Sequence, residues 1–195
     1  MKIRLRLWDI LLALLSGVLS GLAFPKFNLS FFIWISLIPL FFIISNKTPK
    51  QSFLLGMIAG FSFYAVLLYW IPDVPAHFGD LSIGISILIY VVFMLFLSFF
   101  WAFFSLSFSI LRRSFPHSVY ILAPFLWVVF EYTLTHILTG FPWGLVGYAQ
   151  YQNLFFIQMA SLTGIYGLSF FIVLFQSLFV LSMKTRKKTF FFMGL

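Results

Sequence analysis

The 195-residue chain is 63% hydrophobic, contains 30 Phe, and carries 12 Lys or Arg against 4 Asp or Glu. Soluble domains hold roughly a quarter of their residues as charged side chains, so this inventory excludes a water-covered globular protein and leaves an integral membrane protein. With 0 Cys, disulfides, thiolate metal sites and a cysteine nucleophile are excluded too.

In chain order, Lys2, Arg4 and Arg6 precede an apolar run from Leu7 to Phe24 that is interrupted only by Asp9. This pattern also fits a signal peptide with Gly21-Leu-Ala23 as its cleavage site, but an uncleaved first span better sets the orientation of the later segments. After a turn at Pro25 and Asn28, Leu29 to Ser45 forms a second run, in which Pro39 predicts a kink. A polar loop, 46–50, leads to a third span, Phe53 to Ile71, which ends in the interfacial pair Tyr69-Trp70. The acidic loop 72–80 comes next, then an uncharged run from Leu81 to Leu111, longer than the roughly 20 residues a bilayer needs. A fifth span covers Val119 to Leu138 and a sixth Leu154 to Met183, with a basic loop after it and the start of a seventh at 190–195. The expected fold is therefore a single all-α polytopic membrane domain over 1–195, with six transmembrane helices plus the start of a seventh.

The cations fix the orientation. With a cytoplasmic N-terminus, 11 of the 12 Lys and Arg fall on the cytoplasmic side, leaving only Lys26 outside. This is the asymmetry that short loops show, so the net charge of +8 requires no nucleic-acid partner. Loops 72–80 and 139–153 then face outward.

Glu131 is the only glutamate and lies within the fifth span. A charge in a bilayer costs about 2.5 to 3.5 kcal/mol on insertion scales, so such an acid faces a bundle interior or a wet cavity. It lines a cavity, relays a proton, or is structural. Helical spacing puts Trp127 at i−4 and Thr135 at i+4, with Thr135 one hydrogen-bond partner in reach. His136 falls on the opposite side of the helix and is expected at the interface. Asp73, His77 and Asp80 lack zinc-site spacing and are expected to be a solvated loop. The pairs Gly17/Gly21 and Gly56/Gly60 permit close helix packing. No Gly-x-Ser-x-Gly turn, phosphate loop or dinucleotide fingerprint is present, and neither metal nor cofactor is expected.

Trp127-x-x-x-Glu131, Thr139-Gly-Phe-Pro-Trp143 and Gly147-Tyr148-x-Gln150 together resemble the membrane domain of bacterial apolipoprotein N-acyltransferases. Leu22-Ala-Phe-Pro25, Gly60-Phe61, Tyr69-Trp70 and Gly164-Ile-Tyr-Gly167-Leu-Ser-Phe170 occur in the family's order. One departure is Leu134, where the family often has an arginine. The resemblance implies a multi-pass protein of the bacterial inner membrane, acting in lipoprotein biosynthesis. Its partners are phospholipid and apolipoprotein, and its acyl chain passes through a cysteine thioester to a diacylglyceryl-cysteine amine. In the family those catalytic residues belong to a nitrilase-like domain after the seventh span. None is carried over here, and a truncated or split protein, inactive alone, is expected. Glu131, Phe141, Pro142, Trp143, Gly147, Tyr148 and Gln150 are the expected shapers of an outward, lipid-admitting mouth. The alternative is a small stand-alone lipid-binding or transport protein using Glu131.

Overall fold

A computed structural model describes residues 5–193, with side chains up to residue 185. Among the described residues every regular element is helical. Helix α1, Leu7–Leu22, begins on a reciprocal cap in which Asp9 accepts from the Arg6 backbone N–H at 3.0 Å. The acid that interrupts the first apolar run thus sits at the positive end of the helix dipole, where Lys47 Nζ also reaches it at 2.5 Å.

Residues 29–45 do not form one kinked helix. They divide into a 3-10 turn, Ser30–Trp34, and a short helix α2, Ile38–Ile44. Pro39 sits in the first turn of α2, where its missing N–H leaves no bond unmade, so it starts a helix instead of kinking one. The break frees backbone groups in an apolar setting, and side chains from other elements satisfy them. Gln176 Oε1 accepts from the Leu37 N–H at 2.6 Å, while Ser16 Oγ donates to the Ser36 carbonyl at 2.6 Å. Gln150 Nε2 donates to the Ser30 carbonyl at 3.0 Å.

Helix α3, Pro49–Leu67, opens on a Thr48/Gln51 capping box. The one-and-a-half-turn helix α4, Asp73–Phe78, is followed by α5, Ile83–Ser114, whose 32 residues extend about 48 Å, well beyond a hydrocarbon core of about 30 Å. Helix α6 is Val119–His136 and carries Pro124 inside it. A 3-10 turn, Val146–Gln150, and the single turn α7, Leu154–Ile157, lead into α8, Ala160–Met193. Gly164, at φ 65°, breaks α8 after its first turn. The seventh span expected at 190 is not separated from the sixth, because α8 runs unbroken through the basic residues, which are good helix formers. Residues 194–195 of that expected span lie outside the described residues.

Helix α3 is packed between α1 and α5, and α6 lies against α8. Both glycine pairs serve these contacts. A Cβ on Gly17 would collide with Ser62 and the Ala59 carbonyl of α3, and one on Gly60 would lie 2.9 Å from Trp101 Cβ of α5. Among the described residues four helices are long and apolar enough to cross a membrane: Pro49–Leu67, Ile83–Ser114, Val119–His136 and Ala160–Thr185. Two shorter apolar stretches, Leu7–Leu22 and Ser30–Ile44, accompany them. Ile85, Leu88, Val92, Phe99 and Phe103 on the outer side of α5 are exposed, which suits a lipid-facing surface.

Candidate functional site: an aromatic mouth above a buried glutamate

Glu131 is only 7% exposed, inside the bundle. Its Oε1 accepts from Trp127 Nε1 at 2.8 Å and from the Val146 backbone N–H at 2.8 Å. The first donor lies one turn back on α6; the second comes from the returning loop. Thr135, expected as its partner, instead bonds the Tyr132 carbonyl and the Tyr166 hydroxyl. Trp127 is held edge-on between Trp101, 5.0 Å between centroids, and Phe104, 4.8 Å. Oε2 has no hydrogen-bond partner among the described residues. Glu131 lines a void of about 20 Å³ together with Tyr64, Trp101, Phe104, Trp127 and Leu134, room for about one water. Leu134, where the family often has arginine, is an apolar wall of that void. The carboxylate's partners here are N–H donors and not a cation.

The loop after α6 folds back over this carboxylate. The Phe141 N–H returns to the Leu134 carbonyl at 3.0 Å, and Leu138, Gly140 and Gly144 all take positive φ. At Gly144, φ 88°, a Cβ would stand 2.6 Å from Leu67 Cδ2 and 3.2 Å from the Phe63 ring, so glycine answers both the backbone and the space. The 3-10 turn is fixed to α8 by the Gly147 N–H donating to Ser169 Oγ at 2.9 Å.

Above the loop is a cavity of about 570 Å³, within the range of ligand sites, lined mainly by aromatic side chains. Phe24, Tyr69, Trp70, Trp143, Tyr148 and Tyr151 form its walls. Trp143, 51% exposed, packs on Trp70 with centroids 5.6 Å apart. Lys26, the one cation on that side among the described residues, also lines it and rests its Nζ 3.1 Å from the centroid of Tyr69.

The seven expected site residues therefore occupy three levels. Trp143 and Tyr148 line the cavity. Phe141, half-buried, packs against Trp143, Tyr64 and Phe93, and Pro142 is exposed on the same loop. Gly147 and Gln150 are buried beneath, and Glu131 lies under Gly144, which borders both the cavity and the void. Gln150 is 2% exposed and spans Ser30 and Asn153, so it ties the loop to the broken second segment. Sequence reasoning missed Phe24, Lys26, Tyr69, Trp70 and Tyr151 as site residues. The signal for Lys26 was its isolation as the one cation expected outside; Tyr69 and Trp70 read as interface aromatics alone.

His136 is exposed at the end of α6 and stacks on Tyr132 with centroids 4.0 Å apart, with no bond to Glu131. His77 Nδ1 is 3.0 Å from the Asp73 carbonyl. Among the described residues no three His, Cys, Asp or Glu side chains converge as metal ligands.

The family model described as the apolipoprotein N-acyltransferase N-terminal domain matches residues 16–178. Apolipoprotein N-acyltransferase of Geobacter metallireducens is 39% identical over 168 residues, covering 85% of this chain and 32% of that protein. The Coxiella burnetii apolipoprotein N-acyltransferase is 32% identical over 182 residues, covering 91% of this chain and 37% of the relative. Apolipoprotein N-acyltransferase 1 of Treponema denticola is 34% identical over 173 residues, 87% of this chain and 30% of its own length. The chain thus spans about a third of the length of the curated relatives it matches, and across that third it belongs to the family of apolipoprotein N-acyltransferase N-terminal domains.

Proposed function

We propose that this chain is the lipid-admitting membrane module of an apolipoprotein N-acyltransferase, which receives an acyl chain of a phospholipid in the aromatic cavity and holds it for transfer to a lipoprotein amine. The observation that carries this reading is the cavity of about 570 Å³, with one charged residue, Lys26, among aromatic walls. A methylene chain gains about 0.8 kcal/mol per buried CH₂ in such surroundings. Trp and Tyr suit a depth where one end of the ligand is apolar and the other polar.

In this reading the helices make six crossings of the bacterial inner membrane with the N-terminus cytoplasmic, the two shorter apolar stretches accounting for the first and second. The cation asymmetry supports that orientation, in which the cavity opens at the outward face. The chain holds 0 Cys, so the thioester step is assigned to a nitrilase-like domain or partner outside these residues. Glu131 is engaged by two N–H donors beneath Gly144, which favours an anchoring role over proton relay or transport.

The test uses the chain in lipid nanodiscs with a phospholipid bearing a diazirine at its acyl terminus, followed by illumination and peptide mapping. Labelling concentrated on the segments containing Tyr69, Trp70, Trp143 and Tyr148 is expected. Labelling spread along the outer side of α5, with none on those segments, would refute the reading.

A further inference from the structure

A second, chemically different pocket lies at the opposite end of the bundle from the aromatic mouth, where α2 and α5 end and α6 begins. It encloses about 200 Å³ and is lined by Asn46, Arg112, His117, Tyr120 and Lys184, with Pro116 closing one side. Arg112 Nε is buried and has no hydrogen-bond partner among the described residues. Among the described residues Lys184 Nζ reaches Asn46 Oδ1 at a long 3.4 Å and lies 5.6 Å from the Phe42 ring. Arg112 and Lys184 thus bring two cationic groups to one pocket.

No Asp or Glu side chain offsets these cations. The chain's four acids are all placed elsewhere: Asp9 is engaged by Lys47, Asp73 and Asp80 belong to the loop at the other end of the bundle, and Glu131 is in the core. Part-buried cations without counter-charge are unfavourable, and the remedy a membrane offers is an anionic headgroup. The other polar groups fit that role. The Tyr120 hydroxyl is already fixed to Ser45 Oγ at 2.6 Å, so the wall is rigid, while the guanidinium donors of Arg112 suit a phosphate's oxygens.

We propose that this pocket is a phosphate-binding site, with Arg112 and Lys184 as its principal ligands and His117 at its rim. The phosphate belongs either to an anionic phospholipid of the cytoplasmic leaflet or to a soluble phosphate. The site is independent of the acyl-chain reading of the mouth, since it shares no residue with that cavity.

The experiment titrates the full chain in detergent micelles, at constant ionic strength, with dihexanoyl phosphatidylglycerol, phosphate-free dihexanoylglycerol, or inorganic phosphate. Binding is read from the thermal unfolding midpoint. Phosphatidylglycerol is expected to raise the midpoint by several degrees and dihexanoylglycerol to leave it unchanged. R112Q/K184Q should weaken the response at least tenfold, whereas R113Q, an exposed neighbour outside the pocket, should stay within twofold of the parent. If the double variant fails to fold, N46D, which keeps an acceptor for Lys184 but installs a counter-charge, should lose the response by itself. A matching response to inorganic phosphate supports the site and identifies a soluble ligand; a response to phosphatidylglycerol alone supports it and identifies a lipid. No response to either in the parent chain, or an equal loss in R113Q and R112Q/K184Q, overturns the proposal.

Discussion

If Glu131 is an anchor, its value lies in accepting hydrogen bonds, and its charge is dispensable. Two substitutions separate these properties. In Glu131→Gln the amide oxygen can occupy the Oε1 position and continue to accept from Trp127 Nε1 and the Val146 N–H, both now at 2.8 Å. Glu131→Ala removes the acceptor from two buried donors and enlarges an existing void. Each orphaned buried donor costs about 1–3 kcal/mol, although side-chain bonds in membrane proteins average only about 0.6 kcal/mol. The Trp127 bond belongs nearer the lower figure, because the indole stays clamped by Trp101 and Phe104. The Val146 N–H has the larger loss, since it begins a 3-10 turn with no other acceptor assigned to it. We therefore expect Glu131→Ala to destabilise by about 2–4 kcal/mol, roughly 5–15 °C in the unfolding midpoint for a chain of this size, and Glu131→Gln by less than about 1 kcal/mol. Unfolding in detergent, followed by tryptophan fluorescence, measures both, and limited proteolysis across 138–145 reports release of the loop. Equal losses in the two variants would mean that the charge or its proton matters, and the anchoring argument would fail.

Other substitutions probe the remaining joints. Gly144→Ala should cost about 1–3 kcal/mol, since it combines a left-handed backbone with a contact to Leu67, and should reduce acyl-terminus labelling of the Trp143 segment; unaltered labelling and stability would count against the packing described. Gln176→Leu leaves the Leu37 N–H unpaired and should lower stability by about 1–3 kcal/mol in the same unfolding assay, whereas Gln158→Leu, at an exposed position, should stay within about 0.5 kcal/mol. For Asp9 and Lys47, a double-mutant cycle with Asp9→Asn and Lys47→Met should return a favourable coupling on the order of 1 kcal/mol, and additivity would dissolve the pair. Trp143→Ala opens the mouth without touching the buried anchor, so it should leave the midpoint nearly unchanged while reducing the labelling of the cavity walls by half or more.

Hydrophobic run length located α3, α5 and α6 to within about four residues, because each is a long apolar helix with polar or proline-bearing ends, whereas α8 starts six residues later and ends ten residues later than the run from Leu154 to Met183. The second run defeated the same reasoning. Its apolar content is high enough for a span, yet the backbone breaks between Trp34 and Ile38. The groups that make the break tolerable, Gln176, Ser16 and Gln150, are distant in sequence, and no local pattern announces them. The glycine pairs were legible as packing faces, and their partners α3 and α5 became known only from the fold. At the site, the Gly, Pro and Trp of 140–143 identified the returning loop. The opposite wall of the mouth comes from Phe24, Lys26, Tyr69 and Trp70, which the turns after α1 and α3 deliver from far upstream in the chain. Helical spacing did find Trp127 as a neighbour of Glu131, but the Val146 donor depends on how the loop closes.

The buried polar side chains divide by purpose in a way that bears on mechanism. Gln150, Gln176, Ser16, Ser169 and Glu131 each bond a backbone group of a non-helical segment or of the turn packed on it. They hold broken backbone inside the bundle, where water does not reach. The aromatic mouth takes none of them as walls; its charged member is Lys26, held over the Tyr69 ring. A site built this way can select for an apolar chain and fix its depth, with Lys26 as the cation that meets a headgroup, while Glu131 is shut beneath Gly144. Within the proposed reading, the contribution of Glu131 and the aromatic walls to acyl transfer is therefore orientation of the lipid and exclusion of water, effects that act on the reaction through positioning.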